Sequence, residues 1–372
     1  VTVAIHIESL QIQQFRGIQQ LSIPRLNHIN LVAGDNNCGK TSLLEALLLL
    51  RNPGDFTNTL RIARMRDSLN PFGSTSAYEN LLALFPHIES EVKRIEMQAR
   101  CHGQDVCYAL EGKTQTILLD PEEQKMLFRF STRRENLLPS ECQAFQGELE
   151  VRTESGQEKK EISFHEYSTI SGRGIASSRL LNVVYLAPFD HLRGGMLSSI
   201  IKNDSYKDLC VGILQLFDPG ITDLLLLKNE ITNRPVECVR HKELGTMPLS
   251  TYGDGIKKVL SIASGISKAV DGILLIDEVE TAIHSRYFDE IFRFIAAACR
   301  KFNVQVFITS HSIEAIDGFL AIEDYDRNTG GEDPVSVVTL KKDLNSFRSY
   351  ARVLSGRHVY QNREQFGFEV RL

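Results

Sequence analysis

No apolar run in this sequence is long enough to cross a membrane. The longest runs, LLEALLLL and DLLLLK, fall far short of the roughly 20 residues that span a bilayer. The opening VTVAIHIESLQIQQF alternates apolar and polar side chains, and it lacks the basic-then-apolar shape of a secretory signal. The sequence therefore predicts a cytoplasmic protein with no membrane partner.

An excess of basic charge and a set of paired cysteines are also lacking. Lys and Arg number 42 against 47 Asp and Glu, so the net charge of the 372 residues is −5. This balance disfavours a broad DNA-coating surface, but a local basic groove would not show in the sum, so DNA stays an open partner. Cys101 and Cys107 flank His102 without a second pair at zinc-ligand spacing, and we expect reduced thiols.

The stretch GDNNCGKT, residues 34–41, fits the phosphate-binding pattern G-x-x-x-x-G-K-[ST] at every fixed position. It follows the apolar stretch HINLVAG and opens a leucine-rich helix. Glycines let successive N–H groups curl around a phosphate, and the helix N-terminus adds partial positive charge. Lys40 is expected to reach the β- and γ-phosphates of a nucleoside triphosphate, and Thr41 to bind Mg²⁺. The predicted nucleotide-binding residues are Gly34, Asp35, Asn36, Asn37, Cys38, Gly39, Lys40, Thr41 and Ser42.

A second motif, GILLIDEVE, places apolar residues 273–276 directly before two acids, Asp277 and Glu278. The pattern is typical of a buried strand that ends at a metal site, the Walker B form. We expect Asp277 to hold Mg²⁺ together with Thr41. Glu278 is predicted to polarise the attacking water as the general base of hydrolysis.

Two further segments can complete such a site. In VQVFITSHS an apolar strand ends at His311, whose ring is expected to hydrogen-bond the γ-phosphate as a catalytic sensor. PLSTYGDG precedes a long helix that begins near Ile256, and this helix N-terminus suits a second anion contact. Its candidate residues are Ser250, Thr251, Gly253 and Gly255. Ordinary helix caps remain the alternative interpretation of both segments.

The order of strand and helix patterns predicts an α/β fold. Strands alternate with helices in the last third of the chain, which favours a mainly parallel sheet covered on both faces. Alternating stretches at the start predict an antiparallel β portion. We expect an N-terminal ATPase lobe over 1–53, an inserted α+β region over 54–180, a core strand and a mostly helical lobe over 181–248, and a C-terminal ATPase lobe over 249–372.

The motifs, in this order, resemble those of the ABC/SMC-type P-loop ATPases. The opening LQIQQFRGIQQLSI and the ending RVLSGRHVYQNREQFGF narrow the resemblance to AAA-type ATPases of the OLD-like group, which includes ATPase subunits of antiphage systems such as PARIS, Septu and Gabija. The resemblance covers about 1–52 and 180–372. It implies a P-loop NTPase fold like an SMC head, with LSTYGDG as a degenerate signature on a helical lobe.

This resemblance also implies a mechanism. Two copies would sandwich two molecules of ATP with Mg²⁺, each phosphate loop facing the partner's LSTYGDG turn. Thr251 and Gly253 match the signature serine and second glycine, and Glu280 and His284 match a stretch that crosses the dimer interface. Arg16 matches an arginine near the nucleotide. The implied partners are a second copy, as homodimer or higher oligomer, and a separate effector such as a TOPRIM-type nuclease.

Other assignments remain open at this point. A Q-loop glutamine is expected between the halves, and its candidates are Gln104, Gln143 and Gln146. A GTPase would need a guanine-reading NKxD motif, which the sequence lacks. A RecF-like repair clamp shares the length and the opening motif, although its acid pair is usually Asp-Asp. A scaffold with slow turnover, in which ATP holds a dimer together, would look similar in sequence.

Overall fold

The computed structural model describes residues 4–67, 75–86, 90–120, 141–168, 179–323, 325, 333–343, 346–366 and 369–370. None of the helices within these ranges is both long and apolar enough to span a membrane. The described chain forms a mainly parallel sheet, an antiparallel sheet and a small β-sheet, with helices around the first.

The mainly parallel sheet has the strand order β15–β14–β3–β13–β12–β8. All neighbours pair in parallel except β15, which pairs antiparallel with β14 at one edge. The strands are β3 (Ile29–Gly34), β8 (Val183–Leu186), β12 (Ile273–Ile276), β13 (Gln305–Thr309), β14 (Val335–Lys342) and β15 (Ser349–Ser355). This architecture confirms the predicted α/β fold with a mainly parallel sheet.

Both faces of this sheet are buried, as continuous apolar strands require. In β12, Leu274 and Ile276 point into one hydrophobic core, and Ile273 and Leu275 point into a second core on the opposite face. The first core contains side chains of α4 (Leu197–Ile200), α5 (Asp204–Leu214), α6 (Asp254–Lys268), α7 (Phe288–Lys301) and α8 (Ile313–Leu320). The second contains α1 (Lys40–Leu49), α2 (Phe56–Ala63) and α3 (Ala77–Leu82). The last helix, α9, spans Gly356–Phe366.

The antiparallel sheet joins the beginning of the chain to the predicted inserted region. Its order is β2–β1–β4–β5–β6–β7. The strands are β1 (Ile7–Phe15), β2 (Ile18–Ile23), β4 (Val92–Cys101), β5 (Gln104–Leu118), β6 (Glu141–Thr153) and β7 (Gly156–His165). Because β1 pairs directly with β4, the strands β4 to β7 extend the N-terminal strands into one sheet. The inner face of this sheet closes the second core over α1.

The prediction of a mostly helical segment up to Pro248 is wrong for its second half. Helices α4 and α5 are followed by a small antiparallel sheet of β9 (Ile221–Lys228), β10 (Pro235–His241) and β11 (Gly245–Pro248). The run DLLLLK lies in β9, where Leu225 stands opposite Cys238 of β10. A short apolar run fits a strand or a helix equally well, and the pairing with β10 decides for the strand.

The strand order fixes where the predicted motifs meet. Strands β3, β13 and β12 are adjacent and parallel, so their carboxyl ends lie at one edge of the sheet. The phosphate loop follows β3, Asp277 follows β12, and His311 follows β13 by one residue. In open α/β sheets this carboxyl edge is where ligands bind.

Candidate nucleotide-binding site

The phosphate loop between β3 and α1 depends on glycine at its first position. Gly34 has φ of 139°, and a Cβ there would lie 2.3 Å from the carbonyl oxygen of Leu340 on neighbouring β14. Asn37 and Gly39 also have positive φ, 63° and 106°. These left-handed positions curl the loop back toward the first turn of α1, the conformation in which backbone N–H groups face an anion.

Lys40 lies across this loop. Its ammonium donates to the carbonyl oxygens of Gly34 at 2.7 Å and Asp35 at 2.8 Å, and the residue is 6 % exposed. The first turn of α1, which follows the loop, is held by a residue outside the helix, because the Arg66 guanidinium donates to Ser42 Oγ at 3.0 Å. An ammonium has three protons to donate, so Lys40 can hold the loop and still contact a bound phosphate.

The oxygen ligands predicted for Mg²⁺ lie together at the mouth of the loop. Thr41 Oγ1 donates to Asp277 Oδ2 at 3.0 Å, and the Tyr185 hydroxyl donates to the same oxygen at 3.1 Å. Burial and the adjacent Asp277 carboxylate raise the pKa of Tyr185, which keeps its proton for this bond. Mg²⁺ in phosphate sites takes one or two protein oxygens and fills its octahedron with phosphate oxygens and water. The Thr41 hydroxyl and the Asp277 carboxylate fit that set of oxygen ligands.

Thr309, at the end of β13, links the metal-site acid to the candidate base. Its hydroxyl donates to Asp277 Oδ1 at 2.6 Å and accepts from the backbone N–H of Glu278 at 2.8 Å. Both Thr309 and Asp277 are buried, at 0 % and 4 % exposure. The buried Thr309 hydroxyl thus fixes both the Asp277 carboxylate and the backbone N–H of Glu278.

Glu278 and His311 face each other across the carboxyl ends of β12 and β13. Glu278 Oε1 lies 3.4 Å from His311 Nε2, and both side chains are about 40 % exposed. Glu278 has φ of 48°, a left-handed conformation that costs on the order of 1–3 kcal/mol and is often found at functional sites. The structure brings the predicted base, the predicted sensor and the metal-site acid to one edge.

The side chain of Glu280 points toward the turn that contains His311 and Ser312. Its Oε1 accepts from the backbone N–H groups of His311 at 2.7 Å and Ser312 at 3.2 Å. His284, the other residue matched to a dimer interface, is exposed, and its Nδ1 accepts from the Arg286 N–H. Glu280 therefore fixes the backbone at His311 and Ser312 by hydrogen bonds within one chain.

The signature turn lies outside this cluster. Ser250, Thr251 and Gly253 are exposed, and Thr251 Oγ1 donates to the Pro248 carbonyl at 2.7 Å. Gly253 is the N-cap of α6 and carries no side chain to cap it. Within the described ranges, none of the hydrogen bonds of residues 250–255 reaches the phosphate loop. The structure thus brings Thr41, Asp277 and the Glu278–His311 pair together, while the described hydrogen bonds of the signature residues are local.

Arg16 and the glutamine candidates form their hydrogen bonds and ion pairs with residues other than Thr41 and Asp277. Arg16, 8 % exposed, pairs through Nε with Glu45 of α1 at 2.7 Å and supports the helix behind the loop. The same carboxylate pairs with Arg66. The side chains of Gln143 and Gln146 hydrogen-bond Thr116 and Gln115 in the antiparallel sheet, and exposed Gln104 begins β5.

Sequence reasoning missed the contributions of Tyr185, Thr309 and Arg66. A cavity of about 410 Å³ opens beside Thr41 and Asp277, and Tyr185, Arg66 and Arg193 line it. Tyr185 and Thr309 stand in the two strands that flank β12, so only the strand order places them at Asp277. The one signal in the sequence for Tyr185 and Thr309 was that each is a polar residue in an otherwise apolar strand pattern.

Two family models match different parts of the chain. Residues 6–173 match a model described as "AAA ATPase domain", and residues 197–317 match "AAA domain, putative AbiEii toxin, Type IV TA system". Both matches enclose site elements, the phosphate loop in the first and the acids with His311 in the second.

This chain has the phosphate loop and the fold of a P-loop NTPase, and both matched stretches are similar to AAA ATPase domains.

Proteins and solved structures similar to this chain come from several organisms. It is 24 % identical over 354 residues to an "ATP/GTP phosphatase" of Helicobacter pylori, covering 87 % of this chain and 90 % of the relative. It is 24 % identical over 128 residues to the "DNA replication and repair protein RecF" of Trichlorobacter lovleyi, covering 32 % of this chain and 33 % of that protein. A Pyrococcus furiosus Smc head domain aligns with 98 % of this chain and all of its own, at 11 % identity and a TM-score of 0.48.

Proposed function

We propose that this ATPase binds ATP with Mg²⁺ at residues 34–42, hydrolyses it with Glu278, and closes into a dimer around two nucleotides. The pairing of Glu278 with His311 at 3.4 Å, beside the hydrogen-bonded Thr41 and Asp277, carries the hydrolysis part of this proposal, and the exposed N-terminus of α6 supports the dimer part. An exposed, uncapped N-terminus of α6 has backbone N–H groups and partial positive charge to offer an anion. A second copy, turned head to tail, would offer them to the phosphates.

The residues then take distinct roles. Lys40 and the loop N–H groups bind the phosphates, while Thr41 and Asp277 would hold Mg²⁺, which when bound would neutralise charge on the phosphoryl oxygens. Glu278 orients and deprotonates the attacking water. His311 lies against Glu278 and contacts the γ-phosphate. Thr251 and the α6 N-terminus of the partner close the site, and loss of the γ-phosphate removes the bridge between the two copies.

The test is the hydrolysis rate as a function of protein concentration. A composite site predicts a rate that rises more steeply than linearly, and a Glu278→Gln variant that binds ATP, does not turn over and accumulates as a dimer by light scattering. Running ATP and GTP in parallel defines the base preference. A Glu278→Gln protein that stays monomeric with saturating ATP would rule out the sandwich.

A use for this cycle in antiphage defence extends the proposal. Support comes from the resemblance of the motifs to OLD-like ATPases and from the toxin–antitoxin description of the family model over 197–317. In this proposal the ATP-bound dimer regulates a separate effector protein, such as a nuclease. Co-purification of the effector with the Glu278→Gln protein plus ATP tests it, and recovery of no effector under any nucleotide condition counts against it.

The RecF relatives favour a second candidate, an ATP-driven clamp on DNA. Stimulation of wild-type hydrolysis by duplex DNA at low salt, declining as salt is raised, would support that function. A rate that is linear in protein and indifferent to DNA would instead support a scaffold that awaits a protein partner.

A further inference from the structure

Lys258 is a buried cation that the hydrolysis scheme above does not use. It lies in the second turn of α6, the helix that follows the signature turn, and is 2 % exposed. Charged lysines are almost never fully buried unless their ammonium has partners. Its Nζ donates to two backbone carbonyl oxygens, Glu278 at 3.3 Å and Pro188 at 3.2 Å.

Each of the two acceptors has one further hydrogen-bond partner besides Lys258. The Pro188 carbonyl also lies 3.1 Å from Nδ1 of His191, which can donate to it. The Glu278 carbonyl also accepts from the N–H of Thr281 within the same turn. The Lys258 ammonium thus ties the Glu278 carbonyl to the signature helix.

Hydrogen bonds hold the backbone of Glu278 at its N–H and at its C=O. Thr309 Oγ1 accepts its N–H at 2.8 Å, and Lys258 donates to its C=O at 3.3 Å. The residue has the left-handed φ of 48°, which persists only where the surroundings impose it. Lys258 is therefore one of the groups that impose the backbone conformation from which the Glu278 carboxylate reaches the site.

A second contact joins α6 to the same segment. A Cβ on Gly255 would lie 3.2 Å from the carbonyl oxygen of Ala282, so the first turn of α6 passes close to residues 278–284. Ala282 also has a positive φ, 66°. The start of α6 and the segment after β12 therefore touch at two points, Gly255 and Lys258.

We propose that Lys258 is a positioning residue that couples the signature turn to the general base. This inference rests on the proposed function, in which the N-terminus of α6 contacts the partner's nucleotide. When the partner's nucleotide contacts the N-terminus of α6, the Lys258 ammonium on the same helix transmits this contact to the backbone of Glu278. Hydrolysis therefore follows dimer closure. Lys258 touches neither nucleotide nor metal in this role.

The test replaces Lys258 with methionine, which keeps the length of the side chain and removes the donor. We expect kcat to fall about 10- to 100-fold, the effect of losing a hydrogen bond from a charged group. The affinity of the monomer for ATP, set by the phosphate loop, stays within about twofold. Since closure no longer triggers hydrolysis, Lys258→Met also accumulates as an ATP-bound dimer although Glu278 is intact.

Two further variants separate coupling from folding. Lys258→Arg keeps a donor and restores part of kcat. Lys268→Met is the matched control, because Lys268 lies on the same helix and donates to the Gly195 carbonyl but is exposed. It leaves rate and dimerisation unchanged.

The possible outcomes are distinct. If Lys258→Met turns over like wild type, or loses kcat and ATP binding together in proportion to unfolded protein seen by circular dichroism, the coupling role is refuted. If the wild-type rate is linear in protein concentration, the proposed dimer itself fails, whatever the variant does.

Discussion

Replacing Thr309 with valine tests whether one buried hydroxyl organises the catalytic edge. Valine has nearly the same shape, so the variant removes two hydrogen bonds with little change in packing. The bond to the Asp277 carboxylate is worth about 1.5–3 kcal/mol, and a stranded backbone N–H at Glu278 costs about 1–3 kcal/mol. Because Glu278 as a residue is only partly buried, we expect a loss near the lower end of the summed range, about 3 kcal/mol of unfolding free energy.

The matched control is Thr59→Val. Thr59 is also buried, at 1 % exposure, and its hydroxyl hydrogen-bonds the neutral Tyr108 hydroxyl at 2.9 Å. Loss of a neutral pair costs about 0.5–1.5 kcal/mol. The assay is urea unfolding followed by far-UV circular dichroism, because the chain has no tryptophan for fluorescence.

Function provides a second readout of Thr309→Val. Removing a partner that orients a metal ligand typically costs 10- to 100-fold in metal affinity or activity. We expect the Mg²⁺ dependence of hydrolysis to shift to higher concentration in Thr309→Val and to stay unchanged in Thr59→Val. Equal losses of stability in the two variants, with equal Mg²⁺ dependence, would refute the role assigned to this hydroxyl.

Three other substitutions test separate parts of the structure. Lys40→Ala removes the loop cation and should weaken ATP binding at least tenfold in a fluorescent-nucleotide titration; unchanged affinity would contradict its role. Thr251→Ala should slow turnover about tenfold while the monomer's ATP affinity holds, and a parallel loss of both would contradict a contact made only in the dimer. Burial lowers the pKa of His28 to about 4, against 6.5 for an ordinary histidine. Between these values the unfolded chain binds more protons, so stability falls by about 2.5 kcal/mol from pH 7 to pH 4.5. His28→Gln should flatten that dependence in urea unfolding, and an unchanged slope would show that other groups cause it.

Local sequence patterns were sufficient for the elements around the nucleotide. The phosphate loop, the helix from Lys40 and the strand before Asp277 are each encoded within about ten residues, and the structure confirms them. Their signals are local because a glycine-rich turn, an apolar run and an acid pair each act on their own backbone. The segment 221–248 lacked such a signal, and its strands formed because β9 and β10 pair across a turn.

The sequence by itself predicts the kind of ligand, since residues 34–41 suit a phosphate wherever the rest of the chain lies. The tertiary structure alone decided which distant side chains serve that site. Tyr185 and Thr309 reach Asp277 because their strands flank β12, and Lys258 reaches Glu278 because α6 crosses the segment after β12. Strand order and helix packing follow from contacts between residues far apart in the chain, so no local pattern contains them.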